Sequence, residues 1–402
     1  MTAHATLTRS ARRRERNLSP SGVERLREAL LFSSYSYVAG STHGFYHYPA
    51  RFSPAIARAV IEVFSEPGDW ILDPFMGGGT SVIEGLASGR KVAGVDINTL
   101  AHFVTQVRTA PLSRSEEHEL VRWARTTAAK FGSGDVTDVA GVEVRNLPGA
   151  VKTFAAGALR ESADLSTVRG KAFARCALLR LGQWALDCRD SIAPRRRRLA
   201  TKLPELTSSM LAGLRDFVSQ CRRAGVSKER LTRNRRLLCR SAVGLEEDSR
   251  LLKLRGKPRL VFTSPPYPGV HVIYHRWQYR GRKETAAPYW IASLRDGRFE
   301  SFYTGGSRTP TGEARYFGML AAAFNSVRRV IHPEGYVVQL VGFADAARQL
   351  PLYLETMKAA GFCEWMPPDA RVEGHADAAE LLSVRDARRH ARGHEHAGEA
   401  PR

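Results

Sequence analysis

Acid is what this chain has too little of: 40 Asp and Glu stand against 61 Lys and Arg over 402 residues, a formal net charge of +21. A field of that sign excludes basic partners and draws polyanions, of which nucleic acid is the commonest. A solvated basic tail would give the same total, and charge alone does not separate the two. Cysteine is also scarce. Cys176, Cys188, Cys221, Cys239 and Cys363 form no CxxC pair, and no His completes a zinc spacing with them. That argues against a zinc ribbon and for reduced, mostly buried thiols in a cytoplasmic protein. No apolar run is long enough to span a bilayer. No basic amphipathic helix with a clean apolar face is visible, so no membrane partner is expected. The basic segment Met1–Arg16 lacks a following apolar signal core, which speaks against secretion.

What is present is ample apolar material, 43% of the chain, enough for a sizeable core in one large domain or two ordinary ones. Residues 1–20 are rich in Arg, Ser and Thr and read as a disordered basic N-terminus. Residues 21–110 carry a helical pattern over 21–31, a helix over 53–64, a strand over 70–72, a helix over 81–88 closed by Gly89, and a strand over 91–95 ending at Asp96. Strand, glycine turn, helix, strand and acid make a βαβ unit. Residues 111–234 break the alternation. They read as amphipathic helices over 116–131, 171–188 and 206–224, with the run Arg195–Arg198 in a loop after Pro194. Residues 235–370 resume it with strands over 236–239, 259–263 and 335–341 and helices over 314–330 and 352–360. Residues 371–402 are polar, rich in His and Arg, and read as a disordered tail. Together these predict an α/β class with a Rossmann-like, doubly wound, mostly parallel sheet and a large helical insertion.

Two constellations carry chemistry. The first is Asp73-Pro74-Phe75-Met76-Gly77-Gly78-Gly79-Thr80. A glycine turn lets backbone approach a ligand with no Cβ in the way, and the helix after it offers free N–H groups. Asp96 follows at about the twenty-residue spacing at which nucleotide-cofactor sites place a ribose-binding acid. The turn is not a GxGxxG phosphate pattern. Asp73 ahead of it would repel pyrophosphate and suit the positive methionine end of S-adenosylmethionine. A dinucleotide site or a plain loop are the alternatives. The second constellation is Thr263-Ser264-Pro265-Pro266-Tyr267 at the end of an apolar strand. Two prolines hold the chain stiff and extended. They fix a backbone carbonyl and the Ser264 side chain as paired acceptors for the hydrogens of an exocyclic amine. Tyr267 is suited to stack on a base, and a base in a duplex reaches such a pocket only when flipped out. The plainer alternative is a proline-rich turn.

These residues resemble the DNA amino-methyltransferases, the S-adenosylmethionine-dependent family that makes N4-methylcytosine and N6-methyladenine. DPFMGGGT is similar to that family's cofactor motif and TSPPY to its catalytic motif. Tyr46-His47-Tyr48-Pro49-Ala50-Arg51-Phe52-Ser53-Pro54 resembles the segment that closes over the methionine moiety. The resemblance covers most of 43–108 and 235–363. It implies that Asp73, Phe75, Gly77, Gly79 and Thr80 hold the cofactor, that Asp96 binds its ribose, and that Phe52 and Ser53 contact its methionine part. It further implies that Ser264, Pro265, Pro266 and Tyr267 hold and stack the target base. A Ser at the first position of the PPY motif usually marks cytosine-N4 enzymes in that family. Asp usually marks adenine-N6 enzymes, and Asn a mixed set. DNA is then the implied partner, with a cognate restriction or defence protein beside it; oligomeric state is not legible. Adenine-N6 methylation, RNA amino-methylation and a catalytically silent DNA-binding module are the rival readings. The chain departs from the pattern in two places. Ser241 stands where the family often has an acid bonding the cofactor adenine, and the insertion lies between the second and third strands, where the familiar motif orders have no recognition region.

Outside the motifs, the insertion is the candidate for target recognition, and Arg195–Arg198 for phosphate contact or simple solvation. The segment His271–Gln278 mixes aromatic, basic and amide side chains that would read base edges, or fill the gap a flipped base leaves, or pack in a core. Phe173 and Trp184 are predicted core. His375, His390, His394 and His396 read as tail rather than as a metal site.

Overall fold

The computed structural model describes residues 2–10, 20–32, 40–47, 52–132, 143–187, 190–269, 277–280, 283–295 and 309–364. In chain order, β1 (Thr2–Ser10) and α1 (Pro20–Phe32) precede a single helical turn, His43–Phe45. Then come α2 (Pro54–Phe64), β2 (Trp70–Asp73), α3 (Thr80–Ala87), β3 (Lys91–Asp96) and α4 (Thr99–Arg108). Five helices follow: α5 (Arg114–Gly132), α6 (Gly149–Ser162), α7 (Val168–Leu186), α8 (Arg196–Arg223) and α9 (Lys228–Arg233). After them come β4 (Arg235–Cys239), α10 (Ser249–Leu252), β5 (Leu260–Thr263), the hairpin strands β6 (Trp277–Tyr279) and β7 (Lys283–Thr285), and α11 (Ala287–Ala292). The described residues end with α12 (Pro310–Val330), β8 (Tyr336–Phe343), α13 (Ala346–Ala359) and β9 (Phe362–Glu364).

Among these residues a seven-stranded sheet runs β4-β3-β2-β5-β8-β1-β9. Its first five strands are parallel, and β1 lies antiparallel to both β8 and β9. The fold is Rossmann-like. Both faces of the parallel strands are covered, so successive residues alternate between two cores instead of between core and water. Ile71, Val92, Leu260, Phe262 and Val338 pack with α2 to α4 on one face. Leu72, Ala93, Val261, Val337 and Val341 pack with α12 and α13 on the other. The order reverses between β2 and β5, where consecutive connections leave to opposite sides. In open α/β sheets ligands bind at the carboxyl ends of the strands flanking such a switch point.

The insertion shares this core. Phe154, Phe173, Leu179, Leu203, Leu214 and Phe217 of α6 to α8 belong to the same buried cluster as Ile61, Val82 and Ile83 of α2 and α3. Among the described residues, no helix is long and apolar enough to cross a membrane.

Several expectations need correction. Disorder over residues 1–20 does not hold for Thr2–Ser10, whose strand lies between β8 and β9, with Thr2 opposite Phe343 and Arg9 opposite Tyr336. Its threonines suit a pleated strand, but its partner lies more than 300 residues away, and local pattern cannot show that. Arg196–Arg198 form the first turn of α8, with Arg195 as its N-cap, and not a loop. Helix α13 starts at Ala346, before Pro351, which it carries inside the helix; that proline hid the first turn from the sequence. The tail over 371–402 lies outside the described residues.

Candidate active site

The site is built where β2 and β5 end side by side. Asp73 closes β2 and has no exposed surface. Its carboxylate accepts from Thr263 Oγ1 at 2.6 Å, from the Phe75 N–H at 3.1 Å, and from the Ser81 hydroxyl. Thr263 is the last residue of β5 and the one before Ser264. Asp73 therefore ties the glycine turn, α3 and the SPPY corner to one carboxylate. Buried behind the turn, Asp73 holds both motifs in place. Burial pushes its carboxyl up to about 6, against the pull of the three donors.

The turn itself is stitched to β3. Met76 donates to the Val95 carbonyl at 2.9 Å and Gly77 to Asp96 Oδ2 at 2.8 Å. Gly77 and Gly79 have φ of +48° and +79°, the left-handed region that glycine enters at no cost. At Gly79 space matters as well, since a Cβ there would lie 2.5 Å from Thr105 Cγ2. Thr105 is already engaged, donating to the Gly77 carbonyl at 3.2 Å. Thr80, buried, opens α3 directly after the turn.

Asp96 is half-buried at the end of β3. Besides Gly77 N–H, it accepts from the Asn98 N–H at 2.8 Å. Each carboxylate oxygen thus carries one backbone donor and keeps lone-pair capacity for another, the arrangement a vicinal diol requires. Burial again pushes the carboxyl up to about 6.

On the β5 side, Ser264 Oγ donates to the Leu340 carbonyl of β8 at 2.8 Å and lies 3.1 Å from the Tyr267 hydroxyl. With its single hydrogen engaged by Leu340, the Ser264 oxygen is left as an acceptor. Pro265 is buried and Pro266 half-buried. The half-buried Tyr267 ring packs on Gly342, where a Cβ would come within 3.3 Å of it. Phe52 stands edge-on to Phe262 of β5 at 4.8 Å, which brings the segment before α2 to the same strand end. Ser53 caps α2, its hydroxyl oxygen accepting from Ala55 N–H at 3.2 Å. Phe75 pairs with Phe324 of α12 at 6.3 Å. Tyr48–Arg51 lie outside the described residues.

Three groups escaped the sequence. Arg108, the last residue of α4, is 1% exposed and donates to the carbonyls of Gly78, Tyr46 and His43, the last at 3.1 Å. In sequence it reads as an ordinary basic helix end. The Leu340 carbonyl is backbone and leaves no sequence mark. Thr263, at the head of TSPPY, was within the motif, yet its partner was unknowable from spacing.

Other assignments shift. Trp277 is fully buried and donates to the Tyr46 hydroxyl at 3.0 Å, so it is core and not a wedge for duplex DNA; His271–Arg276 lie outside the described residues. Phe173 is core as expected, but Trp184 is only half-buried. Arg198 and Lys202 hold their charges 5.6 and 5.9 Å from its ring. Ser241 is exposed, with its hydroxyl accepting from Val243 N–H at 3.1 Å. Further along, past Glu246 and Glu247, Asp248 is bound to Arg250 and Arg240, which hold its carboxyl well below the usual range.

Residues 6–105, from β1 into α4, match the family model described as DNA methylase, that of the N6 and N4 methyltransferases. The type II methyltransferase M.MvaI of Kocuria varians is 41% identical over 78 residues, 19% of this chain and 17% of that protein. The DNA adenine methyltransferase YhdJ of Escherichia coli (strain K12) is 40% identical over 53 residues, 13% of this chain and 18% of that one. The match thus spans less than a fifth of the length of either relative. No solved structure matches the chain significantly. The family match takes in the whole glycine-turn half of the site, and over that part the chain is similar to the DNA methylase family, the N6 and N4 methyltransferases.

Proposed function

We propose that this chain is an S-adenosylmethionine-dependent DNA methyltransferase acting on the exocyclic N4 amine of a cytosine flipped out of the duplex. The observation that carries the reading is the Asp73–Thr263 hydrogen bond, which sets the glycine turn and the SPPY corner at one edge of one sheet. The donor set fits the cofactor. Asp96 keeps acceptor capacity on both oxygens for ribose hydroxyls, Gly77 and Gly79 let the backbone come close, and Phe52 and Ser53 lie at the β5 end for the methionine part. Bound there, the cofactor supplies an electrophilic methyl group.

The chain's own residues would do the rest. Ser264, its hydrogen turned to Leu340, accepts one amine hydrogen while a backbone carbonyl of the proline corner accepts the other. That draws the nitrogen lone pair out of ring conjugation and towards the methyl group. Tyr267 stacks on the base, and the departing proton leaves to solvent or through Ser264. The helical insertion would contact the target DNA, with Arg195, Arg197 and the Trp184–Arg198–Lys202 cluster near phosphates.

Adenine N6 is the second reading, favoured by the likeness to a relative named as a DNA adenine methyltransferase; Ser264 in place of an acid favours cytosine. Incubation with radiolabelled S-adenosylmethionine and DNA or RNA, followed by nucleoside analysis, tests this. Label in N4-methylcytosine is the expected result. Label in N6-methyladenine selects the second reading, and label in RNA alone refutes both.

A further inference from the structure

Four contacts converge on the short segment His43–His47. His43 Nε2 lies 2.7 Å from Glu84 Oε1 on α3, and both groups are buried. Tyr46 accepts from Trp277 of β6 through its hydroxyl. Gln183 of α7 grips the His47 backbone in both directions, accepting from its N–H and donating to its carbonyl, each at 2.8 Å. The fourth contact is Arg108, whose guanidinium spans from the segment's carbonyls at His43 and Tyr46 to the carbonyl of Gly78 in the glycine turn.

We infer that Arg108 is a positioning residue for the cofactor site, fixing the glycine turn against a strut that the helical insertion holds from the other side. The inference rests on the functional reading above and adds a residue and a route to it. The chemistry favours Arg over any other side chain. A planar fork with five N–H donors serves acceptors on two separate segments at once, whereas a lysine ammonium is a compact point charge. Its place at the carboxyl end of α4 supplies the favourable field that a buried cation needs. A guanidinium that merely filled the core would not need the turn's carbonyl. Here it holds the middle glycine of three, between Gly77, which donates to Asp96, and Gly79, which packs on Thr105. Moving that turn by a fraction of an ångström would shift the backbone that faces the cofactor.

The test is calorimetric titration of S-adenosylmethionine, and separately of S-adenosylhomocysteine, onto the full chain and the variants Arg108→Lys, Arg108→Gln and Gln183→Leu. Thermal melting and duplex-DNA affinity are measured beside it. Arg108→Lys should stay folded, weaken both cofactor ligands at least tenfold, and leave DNA affinity within twofold; Arg108→Gln should be weaker still. Gln183→Leu, which removes the insertion's grip on His47 without touching the turn, should weaken the cofactor about threefold or more. Folded Arg108 variants that bind cofactor within twofold of wild type overturn the inference. Should neither Arg108 variant fold, unchanged cofactor affinity in Gln183→Leu overturns it. A wild-type chain that binds no cofactor overturns the functional reading and the inference together.

Discussion

Thr263 donates a 2.6 Å hydrogen bond to Asp73 across 190 residues of sequence, joining the last residue of β5 to the last residue of β2. Neither group reaches solvent. The bond does what a loop contact could not: it sets the register of two motifs that sequence alone leaves unconnected. Thr263→Val keeps the shape and removes the donor, leaving a buried carboxylate one partner short. That costs about 1–3 kcal/mol, so the thermal midpoint should fall and cofactor affinity with it. An unchanged melting curve in Thr263→Val would show that the bond holds nothing.

Asp96 sets a pH dependence. Burial pushes its carboxyl from an ordinary 3.8 up to about 6, so it is largely protonated at pH 5 and ionised at pH 7.5. A protonated acid loses acceptor capacity, and cofactor affinity should therefore drop as pH falls through 6. Asp96→Asn should bind roughly ten- to a hundredfold more weakly at pH 7.5, the loss of a charged hydrogen bond, and show a flattened profile between pH 5 and 7.5. Titration of cofactor at five pH values decides it; a wild-type affinity constant across that range rules the role out.

The same two carboxyls act on stability in the opposite sense to paired surface acids. Asp73 and Asp96 both sit near 6 in the folded chain against 3.8 as free groups. The folded state therefore binds more protons than the unfolded state between about pH 4 and 6. Their contribution is fully present at the acid end and is lost as pH rises through 6. Asp73→Asn with Asp96→Asn should remove this component from the slope of denaturation free energy against pH, measured by urea melts at pH 4.5 to 7. An identical slope in the double variant would contradict the assignment.

Much of this fold was legible because its parallel strands are short apolar runs bracketed by glycine turns and helices. Trp70–Asp73, Lys91–Asp96 and Leu260–Thr263 all stand within a residue or two of the predicted spans. What escaped was whatever depended on distance along the chain. Thr2–Ser10 is composed like a tail and becomes a strand only beside β8. Arg108 reads as a solvated helix end and becomes a buried clamp only when His43–Tyr46 folds over it. Trp184, predicted as core, packs only half-buried against it with two cations over its ring, and of the alternatives open for Trp277, base contact or core, the structure has core. Helical spacing reports which residues share a face and is silent on which faces meet.

Gly79→Ala probes the turn directly. The new Cβ would meet Thr105 Cγ2 at 2.5 Å, and the residue would have to hold φ near +79°. Strain of this kind costs about 1–3 kcal/mol. Thr105→Ala in the same chain relieves the clash but not the backbone strain. The single variant should therefore lose cofactor binding, and the double variant should regain part of it. If Gly79→Ala binds cofactor as wild type does, the turn is not the close-approach element described.

Binding of nucleic acid should weaken steeply with salt, because each phosphate contact releases counterions, with a slope near −0.9 per contact. Arg195 and Arg197, exposed at the start of α8, should each lower that slope by about 1 when changed to Ala, without altering cofactor affinity. Fluorescence anisotropy between 50 and 300 mM salt reads it. Unaltered slopes in both variants would move the DNA face off α8.

Ser264→Ala separates the catalytic corner from the cofactor turn. The hydroxyl bridges Leu340 of β8 and Tyr267, and its free lone pair is the one side-chain acceptor the mechanism asks of the corner. Removing it leaves the prolines, the Asp73–Thr263 bond and the glycine turn in place, so cofactor affinity should remain within about twofold. Turnover on DNA should fall roughly ten- to a hundredfold, the worth of one hydrogen bond to a group that gains charge in the transition state. Ser264→Asp, which keeps an acceptor and adds charge, should retain more activity than Ser264→Ala and shift label towards adenine N6. Full turnover in Ser264→Ala would leave the amine held by backbone alone and take the serine out of the mechanism.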